Sequence, residues 1–268
     1  LARLGCTDLA GMLSAVPGIE DIAITTNGAL LPRFADELVK NGVSRVNISL
    51  DTLDPKVFHA VTRVGHIDDV TAGIDCALSA GFKTVKINTV AVRALHQDFF
   101  DIAALSLDRP LHVRFIEYMP IGGEETRAKN IPAEDDPLFK DPALWGKADT
   151  IPSAELRALV SAAGERRGVG PLVHETKDRP AGHGPADYWR FEGAQGTVGF
   201  ISAMSDHFCS QCNRLRLTAD GNIRPCLFSD DEYSVREALA NGDDDAVRAT
   251  YLAAVGHKPQ KHTTNDGT

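Results

Sequence analysis

The sequence predicts an α/β protein, with parallel strands joined by helical crossovers and a smaller α+β domain after them. Three observations carry this reading. Short β-branched runs alternate with helical stretches over the first 120 residues, a stretch rich in Pro, Asp and Glu follows, and the last third is punctuated by a hairpin turn signal.

Residues 21–25 read as the first strand, and residues 31–41 place Leu31, Phe34, Leu38 and Val39 at helical spacing before Gly42 stops the turn. Residues 46–50 form the next strand. Helices over 55–61 and 67–80 follow, the second ended by Gly81; then come a strand over 84–90, a helix near 97–107 and a strand over 112–118. Strand, helix, strand in this rhythm means parallel pairing through right-handed crossovers, in a barrel or an open doubly wound sheet. Either arrangement gathers functional groups at the C-terminal ends of its strands. From Pro120 the texture changes through Pro152, with one helix over 153–163. Residues 188–192 and 197–201 read as strands, and 214–218 and 223–228 flank Ala219-Asp220-Gly221-Asn222, a hairpin turn. Residues 234–240 and 244–255 read as helices. The expected domains are 1–120, an insert or linker over 121–184, a C-terminal domain over 185–256, and a loose tail over 257–268.

At 268 residues the chain can bury about three quarters of its unfolded surface. With 43% hydrophobic and 24% charged residues it has the composition of a globular protein, not of a disordered or collagen-like one. No apolar run reaches the roughly 18 residues of a membrane span, so the expectation is a cytoplasmic protein without a membrane partner. A net charge of -9 has the wrong sign for general nucleic-acid binding by counterion release. Anions, if bound, must be bound locally.

Five cysteines occur, three of them between positions 209 and 226. Cys209, Cys212 and Cys226 have the spacing C-x2-C-x13-C, in which a tight turn aims two thiolates at one point and a hairpin returns the third. Structural zinc closes with four protein ligands, whereas an iron-sulfur cluster can leave one iron open, so the missing fourth thiolate favours [4Fe-4S]. A zinc completed by His207 or His262, and three inert buried thiols, remain the alternatives. Cys6 and Cys76 stand alone on helices and read as packing residues. Arg214 and Arg216 alternate on the strand leaving the turn and so point to one face. Two guanidiniums beside an open iron suit a polyanion, because each offers a bidentate fork to phosphate.

The run from Phe208 through Cys209, Cys212, Asn213, Arg214, Arg216, Thr218, Asp220 and Gly221 to Cys226-Leu227-Phe228 resembles the C-terminal cluster motif of the GTP 3′,8-cyclase family. These are radical S-adenosylmethionine enzymes that open molybdenum cofactor synthesis. Thr25-Thr26-Asn27-Gly28, Asn47-Ile48-Ser49-Leu50-Asp51, Val85-Lys86-Ile87-Asn88 and Arg114-Phe115-Ile116-Glu117-Tyr118-Met119-Pro120 look like that family's strand-end motifs, in the same order. The resemblance runs from residue 1 to about 262, with 122–184 longer and more divergent.

The resemblance implies a partial TIM-like (β/α) radical SAM barrel lacking its first strands, followed by a domain carrying a second [4Fe-4S] cluster. It implies conversion of GTP by a 5′-deoxyadenosyl radical, which removes the 3′ hydrogen so that C3′ closes on guanine C8. Residue by residue, Thr25, Lys86, Arg114, Arg214, Leu215 and Arg216 fall on GTP contacts, Ser49 and Met119 on S-adenosylmethionine contacts, and Cys209, Cys212 and Cys226 on the second cluster. An electron donor, the next molybdopterin-pathway enzyme and a homodimer complete the implied partners. The family's C-x3-C-x2-C loop for the first cluster, its G-G-E-P strand and its double-glycine tail do not occur in these 268 residues. The chain therefore reads as cut at both ends, no first-cluster ligand is assignable, and the polypeptide as written is expected not to cleave S-adenosylmethionine. Another radical SAM enzyme with an auxiliary cluster, or a non-catalytic zinc module, are the competing readings.

Overall fold

The computed structural model describes residues 1–120, 145–182, 184–206 and 208–261. The chain divides into two compact units, Leu1–Ser205 and Asp206–Thr268.

The first unit is built on a seven-stranded sheet. Strands β1 (Ile22–Thr26), β2 (Val43–Ser49), β3 (Thr84–Ala91) and β4 (Leu111–Glu117) lie side by side and parallel. Beyond β4 come β7 (Thr197–Ile201), also parallel, then β6 (Asp187–Arg190), antiparallel to β7, and β5 (Val173–His174), antiparallel to β6. Helices α1 (Cys6–Ser14), α2 (Leu31–Lys40), α3 (Pro55–Thr62), α4 (Ile67–Ser79), α5 (Phe99–Ala104) and α6 (Ser153–Arg166) fill the connections. This is the parallel-rich α/β architecture that the βα alternation predicts.

Local chemistry fixes the helix ends. Asp54 accepts from the amides of Lys56 and Val57 and Pro55 opens α3, so two otherwise orphaned donors are satisfied. Helix α5 starts later than the 97–107 expected, because Asp98 caps it by accepting from Asp101 N and Gln97 is spent elsewhere. Its buried amide accepts from Val92 N at 2.8 Å and donates to the carbonyls of Asp51 and Val90, riveting two strand ends together.

The two sheet faces differ in kind. Val46, Ile48, Val85, Ile87, Val113, Phe115, Val198 and Phe200 point to one side and form the main core with Leu31, Leu38, Ile74, Leu156 and Val160 of the helices. Full burial of each such side chain stabilises by about 1.5 to 3 kcal/mol. The opposite face is polar, and the candidate site begins there.

The unit boundary, after Ser205, falls later than the expected 184/185 division. Strand β7 pairs with β4 from His112↔Thr197 to Ile116↔Ile201, and β6 pairs with β7, so residues 187–201 are part of the first sheet. Helix α6, placed in the linker by sequence, contributes Leu156 and Val160 to the same core. Of the insert expected over 121–184, residues 121–144 lie outside the described residues.

The second unit holds a three-stranded antiparallel sheet of β8 (Arg216–Leu217), β9 (Asn222–Arg224) and β10 (Tyr233–Ser234), with α7 (Arg236–Ala240) and α8 (Asp244–Gly256). Ile223, Val235 and Ala254 form its small core, supported by Leu215 and Tyr233. The β8–β9 turn is a three-residue loop closed by Thr218 N to Asn222 O at 2.9 Å, with Gly221 at φ +85°, a conformation costly for any residue with a Cβ.

Candidate functional site

Alternation along the strands lines up one polar stripe. Cross-strand register sets Thr25 opposite Asn47, Asn47 opposite Lys86, Asn88 opposite Arg114, Arg114 opposite Gly199 and Gly199 opposite Tyr188. Paired residues share a face, so five strands deliver polar side chains to one surface.

Hydrogen bonds join them. Arg114, only 9% exposed, donates from Nε to Asn88 Oδ1 at 2.9 Å and from Nη2 to Asn47 Oδ1 at 2.8 Å. Asn47 in turn donates to Thr25 Oγ1 at 3.3 Å. A Cβ at Gly199 would overlap the Tyr188 ring and crowd Arg114, so glycine there lets the guanidinium cross the sheet.

Lys86 is 2% exposed and donates from Nζ to the carbonyl of Ala181 at 2.6 Å. Burial first, then the positive charges of Arg114 and Arg45, lower its pKa to about 8, with Asp21 opposing. His112, held at 2.9 Å from Thr197 Oγ1, is brought down to about 4 by burial and by Lys86, Arg190 and Arg114, so it stays neutral near pH 7. Arg45 lies on the same face and is bound by Asp21. Positive charge thus predominates on this face, in a chain whose net charge is -9.

Thr25 and Ser49 are exposed near the C-terminal ends of β1 and β2, where a βα scaffold presents its ligands. The loop after β1 is set by contact between backbones: Gly28 has φ +88°, and a Cβ on Gly73 of α4 would overlap the Gly28 carbonyl. Met119 is half-buried two residues beyond Glu117, which ends β4. Glu117 is 1% exposed and accepts from the amides of Ser153, Met204 and Ser205 at 2.6 to 2.8 Å and from the Ser205 hydroxyl. One carboxylate therefore anchors the strand end carrying Met119, the start of α6 and the last residues of the first unit.

In the second unit, Cys209 opens a short 3-10 turn, Cys209–Gln211, and Cys212 N bonds back to Cys209 O at 3.1 Å. Cys226 follows β9. All three thiols are free and partly exposed. Burial pushes the Cys212 thiol up, but hydrogen bonds from the backbone and side chain of Arg214 and the charges of Arg214 and Lys258 prevail, and its pKa is lowered. Arg216 interacts electrostatically with both Cys212 and Cys226.

Arg214 is not in the strand that the sequence predicts over 214–218; β8 starts at Arg216. The Arg214 carbonyl is taken by Lys258 Nζ at 2.8 Å instead of a ladder partner, and its guanidinium lies 5.0 Å over the Phe208 ring. Leu215 packs on the small core. Among the described residues no three His, Cys, Asp or Glu side chains stand together as a single-ion site. His207 and His262, the candidate zinc ligands, lie outside the described residues. Zinc-sulfur bonds of about 2.3 Å need thiolates nearly in contact. A [4Fe-4S] cluster takes its cysteines at separate iron corners and can leave one iron without a protein ligand, so three free thiols beside cationic side chains are compatible with one. Cys6 and Cys76 are half-buried on α1 and α4, Cys76 donating to Leu31 O at 3.6 Å.

Residues 111–264 match the family model Molybdenum Cofactor Synthesis C, and residues 2–105 match the Radical SAM superfamily. A GTP 3′,8-cyclase of Pelotomaculum thermopropionicum is 42% identical over all of this chain and 75% of its own length. The chain belongs to the GTP 3′,8-cyclase family. A second member, from Heliobacterium modesticaldum, is 46% identical over 98% of this chain and 73% of its own. Membership in the GTP 3′,8-cyclase family makes the chain a radical SAM enzyme of molybdenum cofactor biosynthesis, a class that works with [4Fe-4S] clusters and S-adenosylmethionine. No helix among the described residues is long and apolar enough to cross a membrane.

Sequence reasoning missed Asn47, Asn88, His112, Tyr188 and Glu117 as parts of the site. The signal was present for four of them, since a strand whose polar residues recur every second position opposite a continuous apolar face has two buried sides of different chemistry.

Proposed function

We propose that the protein is a GTP 3′,8-cyclase whose GTP contacts include Thr25, Lys86, Arg114, Arg214, Leu215 and Arg216. The observation that carries this reading is the pair Lys86 and Arg114, two buried cations in the interior of a parallel sheet with no carboxylate opposite either in the strand register. Burying a cation without a counter-charge is costly, and a polyanionic ligand offsets that cost. Arg114 would meet phosphate with a planar fork already aligned by Asn47 and Asn88, and Lys86 with a point charge. Neutral His112, opposite Lys86 in the register, adds no positive charge.

Cys209, Cys212 and Cys226 would hold the second [4Fe-4S] cluster, with Ser49 and Met119 contacting S-adenosylmethionine. The second cluster would hold the guanine, while the radical that removes the ribose 3′ hydrogen, so that C3′ bonds guanine C8 to give the 3′,8-cyclo-7,8-dihydro product, would come from S-adenosylmethionine reduced at the family's first cluster, whose C-x3-C-x2-C loop does not occur in these 268 residues. The chain's own residues hold the triphosphate, fix the nucleotide's orientation and limit the access of water to the sheet interior. An external electron donor, transfer of product to the next molybdopterin-pathway enzyme, a homodimer and a cytoplasmic location belong to the same reading.

The test is a titration of the cluster-loaded chain with GTP, ATP and guanosine at fixed ionic strength. GTP should bind more tightly than ATP, and Lys86→Ala should weaken both nucleotides but not guanosine. Equal affinity for GTP and ATP, together with no effect of Lys86→Ala, would overturn the reading.

A further inference from the structure

The polar face carries a third cation that the reading above leaves without a task. Arg45 alternates with Asn47 and Ser49 on β2 and faces the same side as Lys86 and Arg114. Its Nε donates to both carboxylate oxygens of Asp21 at 2.9 and 2.8 Å, and Nη2 also pairs with Asp21. The Ser44 hydroxyl donates to the same carboxylate at 2.5 Å, holding Asp21 from the other side. A guanidinium has five N–H donors, and Asp21 engages one edge, which leaves Nη1 for another acceptor.

That free edge is covered by backbone. The turn through Pro180, Ala181 and Gly182 crosses the cations: Ala181 O accepts from Lys86 Nζ at 2.6 Å. Gly182, at φ +109°, lies so close to Arg45 Nη1 that a Cβ would overlap it. Nothing larger than glycine fits this position without moving the guanidinium. A carbonyl offers a buried ammonium only a partial charge, whereas a phosphate oxygen offers a charge-assisted bond roughly twice as strong. An anion reaching Lys86 therefore displaces the Ala181 carbonyl, and the residue next to it leaves Arg45.

We propose that Arg45 is a further binding residue for the substrate's polyphosphate, covered by the Ala181–Gly182 turn in the ligand-free chain and uncovered when that turn releases Lys86. The proposal rests on the reading of Lys86 as a phosphate contact. It gives the Asp21–Arg45 pair the task of orienting a fork, and Gly182 the task of covering it closely.

The experiment titrates the 268-residue chain with inorganic tripolyphosphate, GTP and guanosine at fixed ionic strength, using the unaltered protein, Arg45→Gln, Arg45→Lys and Lys86→Ala. Arg45→Gln should weaken tripolyphosphate and GTP by about tenfold and leave guanosine unchanged. Arg45→Lys, which keeps the charge and can still pair with Asp21, should fall between the two and so exclude misfolding as the cause. Hydrogen exchange at the amides of Ala181 and Gly182 should speed up when tripolyphosphate binds. Undiminished affinity in Arg45→Gln, with binding lost in Lys86→Ala, overturns this inference and leaves the GTP reading standing. Unchanged affinity in both variants overturns the two together, and slower or constant exchange at 181–182 overturns the uncovering.

Discussion

Replacing Lys86 by Met should make the ligand-free protein more stable and a poorer binder of anions. The ammonium is enclosed, and its drop from the ordinary 10.5 to about 8 means that the fold disfavours the charged form. That drop corresponds to about 3 kcal/mol. Met preserves most of the stem volume and removes the charge, but it forfeits the bond to Ala181, worth about 1 to 2 kcal/mol. The expected net gain at pH 7 is about 1 to 2 kcal/mol.

The pH dependence has a definite sign. Above pH 10.5 the amine is neutral in both folded and unfolded chains and carries no penalty; as pH falls toward 8 the unfolded chain takes up a proton that the folded chain resists, and the penalty grows to its full value. The advantage of Lys86→Met should therefore be largest at pH 7 and shrink between pH 8 and pH 10. Paired urea melts at pH 7 and pH 10 measure this difference, and a tripolyphosphate titration of the same samples should show binding reduced at least tenfold. A variant less stable than the parent at pH 7, or an advantage equal at both pH values, would refute the reasoning.

Further expectations concern both units. Anaerobic reconstitution should load one cluster through Cys209, Cys212 and Cys226; Cys209→Ser should abolish iron and sulfide uptake while Cys76→Ser leaves it intact, as iron and acid-labile sulfide assays will show. Arg216→Ala in the cluster-loaded chain should weaken GTP by about one to two orders of magnitude, with Arg216→Lys recovering only part because an ammonium lacks the planar fork. Glu117→Gln should lower stability by about 2 to 4 kcal/mol in denaturant melts, since an amide NH2 then faces backbone donors that need an acceptor. Gly73→Ala should destabilise by a comparable amount, because its Cβ meets a backbone carbonyl that cannot rotate away.

The parallel strands were legible because their apolar halves are long and β-branched: 84–90 was expected and Thr84–Ala91 is observed. Short pieces were not. Val173–His174 and Tyr233–Ser234 have two residues each, too few for any period to show, and they exist only because neighbouring strands supply partners. Gln97 stays out of the start of α5 because of its side-chain bonds, which periodicity does not register. In the site, Lys86 and Arg114 could be singled out by type, but their burial could not. It depends on which face of the sheet each occupies, and on a turn nearly a hundred residues away that closes over Lys86.

The Glu117 anchor bears on how the chain tolerates a break. Close to it, Thr150 Oγ1 donates to Tyr118 O at 3.0 Å and the rings of Tyr118 and Trp145 meet edge to face at 5.7 Å. The residues on either side of 121–144 thus meet beside the end of β4. With both flanks fastened there, the end of β4 is held from two directions along the chain. A cut in the chain at this place would therefore leave its two sides bound to each other through Glu117, Tyr118 and Thr150, and the cation-lined sheet with the end of β4 still fastened.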